Sequence, residues 1–141
     1  MRTDHVIALI ADIRARAHEW IVAELTRCGH PGIAPSHGAI LALLYDRGPQ
    51  SMGALAQGIG RRKNTVTVLV RKLEAAGYVR RAQSPQDSRI MLVTLTDRGE
   101  AFRSAFREVS AGLLSRTWGD MEPACREALM AGLETLRNNL T

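Results

Sequence analysis

Apolar residues recur at helical spacing in several stretches of this chain, and two β-rich runs interrupt them. From Asp4 to Arg27, the positions Val6, Leu9, Ile10, Ile13, Ala17, Trp20, Ile21 and Leu25 follow the period of an amphipathic helix. Asp4 is placed to cap it and Gly29 to end it. The segment GHPGIAP is rich in breakers and reads as a loop. Ser36 is expected to cap a second helix carrying Ile40, Leu41, Leu43 and Leu44, closed by a turn from Asp46 to Pro49. Ser51 is expected to cap a short third helix with Met52, Leu55, Ala56 and Ile59, ended by Gly58 and Gly60.

A fourth helix is expected from about Lys63 to Ala76. Val66, Leu69, Val70 and Leu73 give it one apolar stripe, and Gly77 suits a left-handed stop. At about 100° per residue the opposite face carries Asn64, Thr67, Val68 and Arg71, with Lys72 at its border. Its length of roughly 20 Å is enough to lie along a DNA major groove. The runs YVRRAQ (Tyr78 to Gln83) and IMLVTLT (Ile90 to Thr96), joined by SPQDSR, then predict a hairpin. Asp97 is expected to cap a long helix with Phe102, Phe106, Val109 and Leu113 on one face. A last helix should start near Asp120, with Pro123 in its first turn and Leu129, Leu133, Leu136 and Leu140 along it. The fold class is therefore mainly α with a small β-hairpin. The third and fourth helices make a helix-turn-helix and the hairpin makes its wing.

Charge changes this picture more than composition does. The chain of 141 residues has 19 Lys and Arg against 14 Asp and Glu, a net charge of +5. Arg61 to Arg89 contains eight basic residues and two acidic ones, Glu74 and Asp87, so this window alone carries +6. A basic helix and ribbon on a near-neutral body suit duplex DNA, whose affinity comes largely from phosphate neutralisation. Aromatic content of 4% argues against single-strand binding by base stacking. No segment approaches the roughly 18 apolar residues of a membrane span. The start, MRTDHVIALIADIRARAHEW, lacks the apolar block of a signal peptide, so the expected location is cytoplasmic.

The segment DSRIMLVTLTDRG (Asp87 to Gly99) resembles the wing signature of the MarR family of winged helix-turn-helix transcription regulators. In that signature Asp-x-Arg precedes a strand ending in Leu-Thr, and a Gly opens the next helix. The block MGALAQGIGRRKNTVTVLVRKLEAAGYVRR resembles the family's helix-turn-helix, and the terminal helices extend the likeness over nearly the whole chain. The resemblance implies a single domain over residues 1–141, with dimerisation helices at about 4–30 and 97–141 and a DNA-binding lobe at about 36–96. It implies a homodimer on a pseudo-palindromic operator, with a recognition helix in each major groove and a wing at the minor groove. It also implies a repressor more often than an activator, and a cleft in which a small molecule acts as effector.

Candidate DNA contacts follow from residue type and place. Arg61, Arg62 and Lys63 suit phosphates at the turn and helix start, and Ser51 suits one at the preceding helix start. Asn64, Thr65, Thr67, Arg71 and Lys72 are types that reach base edges and phosphates, although a solvated helix face has the same look. Val68 offers only apolar contact to a thymine methyl, where many relatives carry a basic or polar residue. Arg89 suits a narrow minor groove, with Asp87 holding its guanidinium; the bland reading of that pair is a surface ion pair.

Competing chemistry finds less support. No Gly-rich phosphate loop, nucleophile elbow or paired-histidine motif is present, so no catalytic residue, cofactor or metal is expected. Cys28 and Cys125 are too few and too far apart for a disulfide framework. A redox-responsive regulator of the same fold is the first alternative. Cys28 follows Arg27 at a helix C-terminus, where the dipole opposes negative charge; Cys125, in the first turn of the last helix, is better placed. Cys28, His30 and His37 match no regular zinc spacing. Arg14, His18, Trp20 and His37 are candidates for an effector cleft, with core or dimer packing the commoner role for Trp20. A non-specific architectural DNA binder is the other alternative.

Overall fold

The hydrophobic stripes become helices in the computed structural model, which describes residues 1–141. The order is α1 (Val6–Arg27), α2 (Pro35–Arg47), β1 (Gln50–Ser51), α3 (Met52–Ile59), α4 (Lys63–Ala75), β2 (Val79–Gln83), β3 (Met91–Leu95), α5 (Asp97–Ala101), α6 (Arg103–Trp118) and α7 (Pro123–Asn139). The chain divides into two compact units, residues 1–109 and residues 110–141.

In the first unit, α2 contributes Ile40, Leu41 and Leu44 to the core, and α3 contributes Leu55. From α4 come Val66, Val70 and Leu73, with Tyr78, Val79, Val93 and Phe102 completing the buried set. Leu69, expected in the same stripe, is half-buried at its edge. Each fully buried aliphatic or aromatic side chain contributes roughly 1.5–3 kcal/mol relative to exposure, so this cluster is what holds α4 against α2 and α3. Trp20 and Ile21 of α1 pack on the same core. The sheet has the order β1-β3-β2 and is antiparallel throughout, with Val79 opposite Leu95, Arg81 opposite Val93, Gln83 opposite Met91, and Gln50 opposite Val93 on the other edge.

Several helix starts differ from the sequence expectation, each for a local reason. Asp4 does not cap α1; its carboxylate is taken by Arg2 at 2.6 Å, and His5 occupies the cap position without a side-chain hydrogen bond. Ser36 does not cap α2. Pro35 is already its first residue, where a missing N–H costs nothing, so the cap falls on Ala34, whose N–H donates to His37 Nδ1 at 3.0 Å. The segment Asp46–Arg47, expected in a turn, completes α2, and Gly48 ends it. Gly58 lies inside α3 against Leu43, and Gly60 alone closes that helix.

Asp97 is the first residue of α5 rather than its cap. Thr96 takes that role, its Oγ1 accepting the Gly99 N–H at 3.1 Å. The expected single long helix is divided at Phe102, although the Phe102 N–H still donates to Arg98 O and the Phe106 N–H to Phe102 O. Asp120 does not open the last helix; Glu122 is its cap, held in extended backbone before Pro123. Both hairpin strands are shorter than expected. Tyr78 is spent on the α4 stop, its N–H donating to Leu73 O at 2.9 Å, and Ile90 belongs to the wing turn, its N–H donating to Asp87 O. The strand β1 was not expected at all.

In the second unit, α7 buries no residue fully. Leu133 and Leu136 are half-covered and Leu129, Met130 and Leu140 are exposed, while Arg126 lies over the Trp118 ring and donates to Met121 O at 2.7 Å. In the first unit α1 likewise leaves Ile7, Leu9, Ile10 and Ile13 exposed. No helix is long and apolar enough to cross a membrane.

Candidate nucleic-acid interface

The α3–α4 turn is set by Gly60, which adopts a left-handed conformation after Ile59, and by the Arg61 N–H, which donates to Ala56 O at 3.0 Å. These bonds fix the backbone from which Arg61 and Arg62 project. α4 starts at Lys63, as expected, with Arg62 in the cap position and no side chain bonded to its first N–H groups. The amides at that end are open to an anion, and three cations flank them.

Burial of Val66, Val70 and Leu73 turns the other face of α4 outward. Asn64, Thr65, Val68, Arg71 and Lys72 are exposed, and Thr67 is half-exposed, its hydroxyl donating back to Lys63 O at 2.9 Å. The helix stops at Gly77, whose φ of +86° is one a side chain would strain. Beyond that stop, Arg98 donates to Ala76 O at 2.6 Å and lies over the Tyr78 ring at 4.5 Å, while Thr96 Oγ1 donates to Gly77 O. Both Thr96 and Arg98 therefore hold the C-terminal end of α4 to the base of the wing. Neither was expected to matter to the interface, because their partners are about twenty residues away along the chain.

Arg81 of β2 forms a two-pronged bridge to Glu74 of α4, with both contacts at 3.2 Å. At the wing tip Arg89 does the same with Asp87: Nε donates at 3.1 Å to one carboxylate oxygen and a terminal nitrogen donates at 3.0 Å to the other. The Arg89 N–H also donates to Asp87 at 3.0 Å. Both effects stabilise the carboxylate, so the Asp87 side chain is held below its ordinary range, by the guanidinium first and the backbone N–H second. The Arg89 side chain remains 88% exposed, a tethered cation at a loop tip. The Ser84 N–H donates to Ile90 O at 2.8 Å and closes that loop.

Of the eight cations in the window, Arg81 and Arg89 are thus internally paired. Arg61, Arg62, Lys63, Arg71, Lys72 and Arg80 are exposed and have no carboxylate partner. This surface combines uncompensated positive charge with amide and hydroxyl groups on one helix face. That is the chemistry needed to hold phosphates and touch base edges. Ser51 is occupied as the α3 cap, its Oγ accepting the Ala54 N–H at 3.1 Å.

The MarR family model matches residues 33–91, which contain α2 through the start of β3. The chain is 30% identical over 103 residues to the HTH-type transcriptional regulator YkoM of Bacillus subtilis, covering 73% of this chain and 67% of that protein. The chain belongs to the MarR family. Alignments to this and two further HTH-type relatives of Bacillus subtilis span 64–67% of those proteins' own lengths. Among solved structures, Bordetella bronchiseptica BpsR, described by the regulation of its DNA binding by 6-hydroxynicotinic acid, superposes with a TM-score of 0.79 at 21% identity, covering 97% of this chain and 96% of that one. Reduced AbfR bound to DNA gives 0.74 at 20%, covering 98% and 93%. These similarities establish the winged-helix fold of the family.

The remaining candidates of this MarR chain are dispersed. Arg14 and His18 line an open groove along α1 with Ile7 and Ile10, and Arg14 also borders a cavity of about 220 Å³ with Ser36, Ile59, Arg61 and Leu69. Trp20 packs on the core, and His37 is buried, its ring spent on Ala34. Burial, and secondly Lys72, keep His37 below the ordinary imidazole range. His30 Nδ1 lies 2.7 Å from the Tyr78 hydroxyl and its ring packs on Phe102, so it too has a structural role. Cys28 caps the end of α1 and Cys125 is exposed in the first turn of α7; both are free thiols.

Proposed function

We propose that this chain is a sequence-specific regulator that binds double-stranded DNA as a homodimer and represses transcription from a pseudo-palindromic operator. The observation that carries this reading is the outer face of α4. It joins unpaired cations to base-reading side chains, on a helix locked to its wing by Thr96, Arg98 and the Glu74–Arg81 bridge. In this reading Arg61, Arg62 and Lys63 hold phosphates, Asn64, Thr65, Thr67, Arg71 and Lys72 reach bases and backbone, and Arg89 enters the minor groove with Asp87 as its positioning partner. The exposed apolar stripes of α1 and α7 support self-association through the terminal helices, because an isolated chain would leave them in water. A regulator of transcription would work in the cytoplasm and carry no catalytic site. A small carboxylate fits the cavity between Arg14 and Arg61 as an effector class, since it would bear directly on the turn that opens α4.

Selection from a random duplex pool is expected to return an inverted repeat with half-sites about one helical turn apart. The protein should bind it at least ~10³-fold tighter than random duplex. Sedimentation should give twice the 15.5 kDa chain mass. Binding to all duplexes alike would favour an architectural role instead, and a clean monomer would remove two-fold recognition.

The wing has its own signature. Arg89→Ala is expected to weaken operator binding and to flatten the dependence of log K on log salt by about one unit per wing. Asp87→Ala should weaken it less, and the double variant should be no worse than Arg89→Ala alone. Titrations of the three variants over a salt series check this. Additive losses, or a larger loss for Asp87→Ala, would assign Asp87 to holding the hairpin itself.

A further inference from the structure

Between residues 36 and 96 the structure exposes three large apolar side chains: Val68 on α4, and Ile90 and Met91 at the wing. The other exposed apolar groups belong to the N-terminal segment through α1 and to the segment from α6 to the C-terminus. Val68 is 50% exposed in the middle of the helix face that carries Asn64, Thr65, Arg71 and Lys72 within one turn of it. A solvated face gains nothing from valine there, since valine is a weaker helix former than Ala, Lys or Glu. Against the edges of bases the choice makes sense. The major groove presents one methyl group, the C5-methyl of thymine; at the matching position cytosine offers only a small C–H, and the remaining recognition groups donate or accept hydrogen bonds. Valine offers neither donor nor acceptor and has essentially one rotamer in a helix, so seating it against a methyl group costs little side-chain entropy.

Resting on the DNA-binding reading above, we propose that Val68 packs on the C5-methyl of a thymine, so that each operator half-site carries a thymine opposite the middle of α4. The neighbouring Asn64 and Arg71, one turn to either side, then address bases flanking that thymine. The contact reads a methyl group and not a hydrogen-bond pattern, so it separates thymine from deoxyuridine, two bases with identical pairing.

The test uses the full chain and a duplex selected from a random pool, prepared once with thymine and once with deoxyuridine throughout. The wild-type protein is expected to lose about fourfold in affinity per half-site on the deoxyuridine duplex, the worth of one buried methyl group. Val68→Ala should bind the thymine duplex about as weakly as wild type binds the deoxyuridine one, and should not distinguish the two. Its salt dependence should stay unchanged, because no charge is lost. Alanine is the better helix former at this exposed position, so the fold is retained. Equal wild-type affinity for both duplexes would overturn the proposal while leaving DNA binding intact. So would a deoxyuridine penalty of the same size in Val68→Ala, which would place the methyl sensing elsewhere. Failure to select any duplex would overturn the reading beneath it.

Discussion

Phe102→Ala is expected to lower folding stability by about 3–5 kcal/mol, the range for removing a fully buried aromatic ring from a core that cannot collapse around the void. Phe102 has no exposed surface and lies at the junction of α5 and α6. Its ring meets Tyr78 edge-on at 5.4 Å, His30 at 4.5 Å and Phe106 at 6.2 Å between centroids. Such aromatic pairs add roughly 0.5–1.5 kcal/mol each beyond the area they bury. Tyr78 leads into β2, and its hydroxyl is shared with His30, so the void would also loosen the base of the wing. A total stability of about 5–15 kcal/mol is typical, which makes this loss a large fraction of the whole. Urea unfolding at one fixed protein concentration measures it, the concentration being held because dimer formation would itself add to apparent stability. A change below about 1 kcal/mol would show that Phe106 and His30 close over the space.

Gly99→Ala is expected to destabilise by about 3 kcal/mol, at the upper end of overpacking. Glycine here is not needed for its backbone angles; it is needed for closeness. A β-carbon on Gly99 would overlap the Tyr78 carbonyl oxygen and come within 3.1 Å of Leu95 Cδ2. Helix propensity alone favours alanine by about 1 kcal/mol, so the sign depends on whether the neighbours can retreat. They are tied. The Tyr78 carbonyl accepts the Thr96 N–H at 3.1 Å, the Gly99 N–H donates to Thr96 Oγ1, and the Gly99 carbonyl accepts the Tyr45 hydroxyl at 2.7 Å. Burial pushes that phenol up to about 12, so it remains a donor through the neutral range. Unfolding midpoints would record the loss, and a variant as stable as the parent would mean that α5 slides away from β2 without cost.

The sequence by itself determined the elements whose signals are local. The buried stripe of α4, its Gly77 stop, the Ser51 cap of α3 and the Asp87–Arg89 pair all depend on residues within a few positions of one another. Periodicity and capping preferences are written at that range. The outward face of α4 followed from the same stripe, so the candidate interface was legible before any contact was known.

What only the tertiary structure decided involves partners far apart along the chain. The two-residue strand β1 exists because β3 supplies its hydrogen bonds, and no propensity of Gln50 and Ser51 announces it. The Thr96 hydroxyl that caps α5 also donates to Gly77 O, 19 residues earlier, which ties that helix start to the end of α4. Arg81, one of the eight cations of the basic window, is taken by Glu74 across the α4 stop. Arg98 reaches the carbonyl of Ala76 at the end of α4, 22 residues earlier. Hydrogen bonds and ion pairs of this kind are settled by which backbones the core brings together. A linear pattern of polar and apolar residues specifies that core, but it does not name the polar partners that meet around it.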